Sequence, residues 1–219
     1  MKPIVIHSVF SSAEIDKLVT KIDSSAVWEA GKATAGPIAG AVKNNLQARE
    51  GSLPGIPPTV TQQLFSNEMF NAYVRPTHMG VMISRYDEGG SYGTHVDDGL
   101  MGVKRRDVSF TIFLSPPNSY DGGELIIENG FAEESHKLGA GHMVVYPATT
   151  LHRVEPVTRG SRLVIVGWAR SLFRSHEQRE MIFELICARR AFFEKLGKTG
   201  EIDLLSKAIS NLTRMWATD

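Results

Sequence analysis

The stretch that decides the fold reads His142-Met-Val-Val-Tyr-Pro147, then Ala-Thr-Thr-Leu-His152-Arg-Val-Glu-Pro-Val157, then Thr-Arg-Gly160-Ser-Arg162-Leu-Val-Ile-Val-Gly-Trp-Ala169. Short runs of β-branched, apolar and aromatic residues are cut by Pro, Thr and Gly, which is how antiparallel strands and turns read. Outward from this stretch the same texture extends back to Met79. It predicts strands at 79–86, 107–114, 123–128, 133–138, 142–147, 151–157 and 161–169, with turns at Asp121-Gly122-Gly123 and Thr158-Arg159-Gly160. One further strand from the N-terminal region brings the number to about eight, enough for a double-sheet jelly roll of the cupin kind.

Helical patterns flank this region. Ser11 and Glu14 have capping-box spacing, and Ile15, Leu18, Val19 and Ile22 follow at helical intervals, so a helix is predicted over 12–24. A second helix is predicted after Pro57-Pro58, with Val60, Leu64, Phe65, Met69 and Tyr73 on one face as far as Arg75-Pro76. Between them, the Gly- and Ala-rich segment 31–40 and the following Val42-Lys43-Asn44-Asn45 carry weak signals for either structure. From Arg174 the period is helical again, with Met181, Ile182, Leu185, Ile186, Phe192, Phe193 and Leu196 in phase and a last helix over 201–216. The reading is therefore mainly β with flanking helices: an N-terminal support region (1–76), a double-stranded β-helix core (77–171) and a C-terminal helical appendage (172–219). The appendage either packs on the core or offers a face for homo-oligomerisation.

Composition narrows the class. The chain has 219 residues, 42% hydrophobic and 22% charged, which suffices for one substantial core. Its 24 Lys and Arg balance 24 Asp and Glu, so no global charge draws it to nucleic acid or to an anionic membrane. Cys187 is the only cysteine, which removes internal disulfides, zinc–thiolate clusters and iron–sulfur sites, favours a reducing compartment, and leaves Cys187 as apolar filler on a helix. The N-terminal residues lack the apolar run of a signal peptide, and no later run approaches the ~20 residues of a membrane helix. A cytoplasmic protein is expected.

Two segments carry chemistry. In Tyr86-Asp-Glu-Gly-Gly-Ser-Tyr92-Gly-Thr-His95-Val-Asp97-Asp98, a His and an Asp two apart leave the same face if the backbone is extended. An Asx turn at Asp97-Asp98-Gly99 beside a surface His is the plain alternative. Farther along, His152 opens one predicted strand and Arg162 the next. Two His and one carboxylate occupy one face of an octahedral iron and leave three positions open for cosubstrate and dioxygen. Arg162 alternates in phase with Val164, Val166 and Trp168, which directs it into an apolar interior where an unpaired guanidinium is costly. It requires an anion. The distal carboxylate of 2-oxoglutarate fits its planar fork, and an Asp or Glu across the barrel is the structural alternative. A metal-binding cupin sensor would instead supply a close His pair plus Glu, and a zinc hydrolase has no evident use for Arg162.

The blocks Gly31-Lys-Ala-Thr-Ala-Gly-Pro-Ile-Ala-Gly-Ala-Val-Lys43-Asn44-Asn45, Arg85-Tyr86 through Asp97, Ser119-Tyr-Asp-Gly-Gly-Glu124-Leu, and Leu151-His152 through Arg162, in this order, resemble the PKHD-type hydroxylases. These are a branch of the Fe(II)- and 2-oxoglutarate-dependent oxygenases related to prolyl and lysyl hydroxylases. The resemblance runs over nearly the whole chain. It implies hydroxylation of a peptidyl or small-molecule substrate with release of succinate and carbon dioxide. It also implies catalytic iron on His95, Asp97 and His152, 2-oxoglutarate on Arg162, and L-ascorbate as reductant of oxidised iron. Tyr86 matches a position from which related hydroxylases donate a hydrogen bond to 2-oxoglutarate. Tyr92, Lys43, Asn44 and Asn45 are candidates for the substrate mouth. His7, His78, His136, His142 and His176 have no carboxylate at matching spacing and read as ordinary histidines.

Overall fold

A computed structural model describes residues 2–130 and 132–218. In chain order the elements begin with β1 (Ile4–Ile6), α1 (Ser12–Ser25), β2 (Trp28–Ala30), α2 (Pro37–Ala41), β3 (Lys43–Asn44), β4 (Leu46–Ala48), α3 (Ile56–Ser66) and α4 (Glu68–Val74). Then follow β5 (Pro76–Tyr86), β6 (Ser91–His95), β7 (Leu100–Met101), β8 (Lys104–Arg105), β9 (Val108–Phe113), β10 (Tyr120–Gly122), β11 (Leu125–Asn129) and β12 (Ala132–His136). The chain closes with β13 (Met143–Pro147), β14 (His152–Val154), β15 (Val157–Gly160), β16 (Arg162–Ser171), α5 (His176–Leu196) and α6 (Gly200–Trp216).

Two antiparallel sheets face one another in a double-stranded β-helix. The larger has the order β1-β13-β9-β16-β5-β4-β2 and the smaller β12-β11-β14-β6-β3. Strand periodicity sorts the side chains into two cores. Ile83, Phe110, Ile112, Met143, Val145 and Ile165 leave the outer face of the large sheet and pack under Ile15, Leu18 and Ile22 of α1, Val60 and Leu64 of α3, and Phe70 and Tyr73 of α4. Their alternates Tyr86, Phe113, Val144, Tyr146 and Val164 point between the sheets and meet Leu125, Ile127 and Val154. The capping box forms as read: the Ser11 side chain accepts from the Glu14 backbone and the Glu14 carboxylate from the Ser11 backbone.

The N-terminal region departs from its reading in strand number. β1, β2 and β4 extend the large sheet and β3 the small one, where a single strand was expected. The pieces are two or three residues long and two of them lie beside the Gly- and Ala-rich segment, so their periodicity is too short to register. The second expected helix is two: Asn67 ends α3 and accepts from the Phe70 backbone through its side chain, so it caps α4. The expected strand over 151–157 likewise divides into β14 and β15, because Pro156 has no N–H to give a ladder. The halves pair with different partners, β14 with β11 and β6, and β15 with β10.

The C-terminal helices are joined to the body through α5. Ile182 is fully buried, Phe183 meets Tyr73 edge to face at 5.1 Å, and buried Arg179 donates to the Phe173 carbonyl at 2.8 Å. Among the described residues no helix is long and apolar enough to cross a membrane.

Candidate active site

His152 and His95 are direct cross-strand partners in the β14–β6 pair, next to a register shift between His152 and Val154. Cross-strand partners on one face meet, and the two imidazoles lie 4.2 Å apart between centroids. Asp97 follows His95 by two residues, just past the end of β6, and returns to the same face. The ligand atoms of the three lie within 4.8 Å of one another. Asp97 Oδ2 is 3.9 Å from His152 Nε2 and accepts a 2.5 Å hydrogen bond from Ser109 Oγ.

Each imidazole is oriented by a carbonyl two residues before it. His95 Nδ1 lies 2.9 Å from the Gly93 oxygen and His152 Nδ1 3.0 Å from the Thr150 oxygen. A carbonyl only accepts, so Nδ1 carries a proton in both rings, which leaves Nε2 as the nitrogen that can bind a metal. Burial first, and then neighbouring His152, bring the His95 imidazole down to about 4, which leaves it neutral at physiological pH. Two neutral imidazole nitrogens and one carboxylate directed at a common point are a donor set for a divalent metal. His95 also stacks on Tyr92, with centroids 3.6 Å apart and planes 17° from parallel.

Arg162 lies deeper in the same cavity. It stands opposite Tyr86 in the β16–β5 register, is 1% exposed, and holds its guanidinium carbon 5.0 Å from the Tyr86 ring and 5.3 Å from that of Phe113. Its Nε and Nη1 are buried without a hydrogen-bond partner, and among the described residues no carboxylate pairs with it. The structural alternative, a salt bridge across the barrel, is thus not present among those residues. Tyr120 lies against Arg162 and the Asn45 amide against the Tyr86 hydroxyl, in contacts that fall short of full hydrogen-bond geometry. Gly123, at φ +68°, lets the chain pass so close that a Cβ there would come within 3.0 Å of the Arg162 stem. Burial keeps the Tyr86 and Tyr146 hydroxyls protonated.

The cavity is lined by His95, Asp97, His152, Arg162, Tyr86, Tyr92 and Lys43, so the sequence-derived candidates converge with the exception of two. Asn44 turns away and donates to the Gly89 carbonyl at 2.9 Å, and Asn45 is buried behind the wall. The other histidines stay apart: His78 beside Lys104, His142 accepting from the Ser8 backbone, His7 packed on His142, His136 near Glu134 and His176 near Glu177. Sequence reading missed Ser109 and Thr111, which also line the cavity. Their signal was present, since they are the polar residues at alternating positions in the otherwise apolar run Val108–Phe113.

Comparison with known proteins now decides the family. Residues 81–170 match the family model of the 2OG-Fe(II) oxygenase superfamily. Over 216 residues the chain is 46% identical to a PKHD-type hydroxylase of Gloeothece citriformis, covering 97% of this chain and 98% of that protein. The chain belongs to the PKHD-type hydroxylases. A relative from Maricaulis maris is 43% identical over 216 residues, with 98% of each chain covered. This PKHD-type hydroxylase is an Fe(II)- and 2-oxoglutarate-dependent enzyme acting on a peptidyl or small-molecule acceptor. Its fold is similar to that of a Pseudomonas putida prolyl-4-hydroxylase, with TM-score 0.55, 19% identity, and 77% and 92% of the two chains covered. It is similar also to a Trichoplax adhaerens prolyl hydroxylase solved with a peptide fragment, with TM-score 0.60, 15% identity, and 82% and 86% coverage.

Proposed function

We propose that residues 77–171 form the oxygenase core, in which His95, Asp97 and His152 hold Fe(II) while Arg162 and Tyr86 hold 2-oxoglutarate. The observation that carries this reading is the convergence of the three ligand atoms within 4.8 Å, in the same cavity as a buried guanidinium without a carboxylate partner. The donor set suits a mid-series divalent ion with open positions, and the buried Arg162 guanidinium, without a carboxylate partner among the described residues, suits an anionic guest. Bound iron with 2-oxoglutarate and dioxygen supplies oxidative decarboxylation to succinate and carbon dioxide and hydroxylation of a C–H bond.

The chain's own residues supply position. The Gly93 and Thr150 carbonyls fix both His tautomers, and Ser109 fixes the Asp97 carboxylate. Arg162 binds the far carboxylate of the cosubstrate through its two-pronged edge, with Tyr86 donating beside it. Leu125, Val154 and Val166 line the cavity between these groups and limit water. Ser109→Ala is expected to weaken iron binding about 10- to 100-fold, as loss of a hydrogen-bonding support does. Equilibrium dialysis with iron quantified checks this, and unchanged affinity would detach Ser109 from the centre. Release of succinate from 2-oxoglutarate under air, stimulated by proline- or lysine-containing peptides or by metabolites, tests the whole reading.

L-Ascorbate fits as reductant of iron oxidised in turnovers without acceptor, and the reducing compartment argued from lone Cys187 suits a cytoplasmic location. The C-terminal helices present Phe192, Phe193, Leu196, Leu204 and Met215, each more than half exposed, as a face for a second copy of the chain. Light scattering is expected to give a dimer or larger assembly that Leu204→Glu shifts to monomer, and a monomeric parent chain would sink this.

A further inference from the structure

Beyond Arg162, the same cavity holds two more cations that the cosubstrate does not use. Lys43 is 5% exposed, yet its ammonium makes one hydrogen bond, to Thr34 Oγ1 at 3.1 Å, and forms no ion pair among the described residues. It hangs 5.0 Å over the ring of Tyr92, which itself stacks on His95. From the loop between β8 and β9, Arg106 lies 4.3 Å over the ring of Trp168 of β16, with its Nε buried and without a partner, and its guanidinium is likewise in no ion pair among the described residues. Each cation thus sits on an aromatic ring, and both line the cavity that holds the His/Asp/His set.

A charge count shows what is missing. The cavity lining contains the cations Lys43, Arg106 and Arg162 and the carboxylates of Asp97 and Asp98. In the reading above, Fe(II) is balanced by Asp97 and the near carboxylate of 2-oxoglutarate, and Arg162 by the far one. Lys43, which feels Asp97, and Arg106 then have exposed Asp98 as the one lining carboxylate that the metal does not engage. A half-desolvated ammonium is held at a cost unless an anion meets it. Burial already draws Lys43 down to about 8.

We propose that the acceptor substrate carries a carboxylate, which Lys43 and Arg106 bind so that a neighbouring C–H group faces the metal centre. This rests on the iron and 2-oxoglutarate reading and narrows its substrate class. The carboxylate can be that of a free amino acid or other small acid, or an acidic side chain or C-terminus of a peptide; the chemistry recognised is the same.

The test uses the full chain loaded with a divalent metal and 2-oxoglutarate without oxygen, so that Arg162 and two of the three open metal positions are taken. Matched pairs are titrated by ligand-observed NMR with Mn(II) in place of iron: acetate and acetamide, N-acetylglycine and its amide, and an acidic tripeptide and its fully amidated form. The expected result is binding of carboxylates in preference to their amides, weakened roughly 10-fold or more by Lys43→Gln and by Arg106→Gln. The tripeptide arm against the small acids separates the two sources. Carboxylates bound no better than amides, or bound equally well by both variants and therefore sitting on the metal, would overturn the proposal. The visible band of the iron–2-oxoglutarate complex is read in parallel. Its absence in the parent chain condemns the underlying reading, whereas its presence with no carboxylate preference condemns this inference alone.

Discussion

Asp97→Ala is expected to abolish stoichiometric iron loading and, with it, turnover of 2-oxoglutarate. Asp97 supplies the only negative charge in the converging trio, since the other two ligands are imidazoles. Weakening a mere support of a ligand costs about 10- to 100-fold in metal affinity, so removing an anionic ligand outright should cost more than ~100-fold. The fold should survive, because Asp97 lies past the end of β6 and the charge-assisted hydrogen bond it accepts from Ser109 Oγ is worth about 1.5–3 kcal/mol. Iron per chain after anaerobic reconstitution and desalting is the measurement, with circular dichroism as control. Full iron occupancy in a folded variant would remove Asp97 from the centre.

The second large effect has two opposite signs. Arg162→Lys keeps a charge but gives up the planar fork, so a bidentate contact becomes at best a single one. Losing one charge-assisted hydrogen bond costs about 1.5–3 kcal/mol, or roughly 10- to 100-fold in affinity for 2-oxoglutarate. Arg162→Met removes the cation altogether and should lose cosubstrate binding beyond that range. The same substitution is expected to make the cosubstrate-free protein more stable, by about 1 kcal/mol or more, because it takes away a buried guanidinium whose Nε and Nη1 have no partner. Thermal denaturation without ligand and a 2-oxoglutarate titration together check both signs. An Arg162→Met variant that melts earlier while still binding 2-oxoglutarate would mean that Arg162 is a structural residue.

What was legible in the sequence follows from how each signal is encoded. β5, β9, β13 and β16 are rich in β-branched, apolar and aromatic residues, and β9 and β13 are buried at every position, so composition locates them. The inward direction of Arg162 was legible as well, since it shares phase with Val164 and Val166 on one unbroken strand. The meeting of His95 with His152 was implied by the family resemblance but not by pattern. It depends on the register of β14 against β6, and β6 reads Ser-Tyr-Gly-Thr-His, which is short, has Gly at its centre and is held by its neighbours on both sides. The carbonyls that orient the two rings are backbone atoms of Gly93 and Thr150, which no side-chain pattern announces. Lys43 shows the same limit. Its neighbours in sequence suggest a polar turn, and its burial arises only because β3 pairs with β6 and lays it over Tyr92.

The most direct measurement is anaerobic addition of Fe(II) and then 2-oxoglutarate, followed by visible absorption. A charge-transfer band should grow to saturation with one iron and one 2-oxoglutarate per chain, disappear in Asp97→Ala, and require about 10- to 100-fold more 2-oxoglutarate in Arg162→Lys. A parent chain that gives no band at saturating iron and 2-oxoglutarate, or an Asp97→Ala chain that gives the full band, would contradict the assignment of His95, Asp97, His152 and Arg162 to one oxygenase centre.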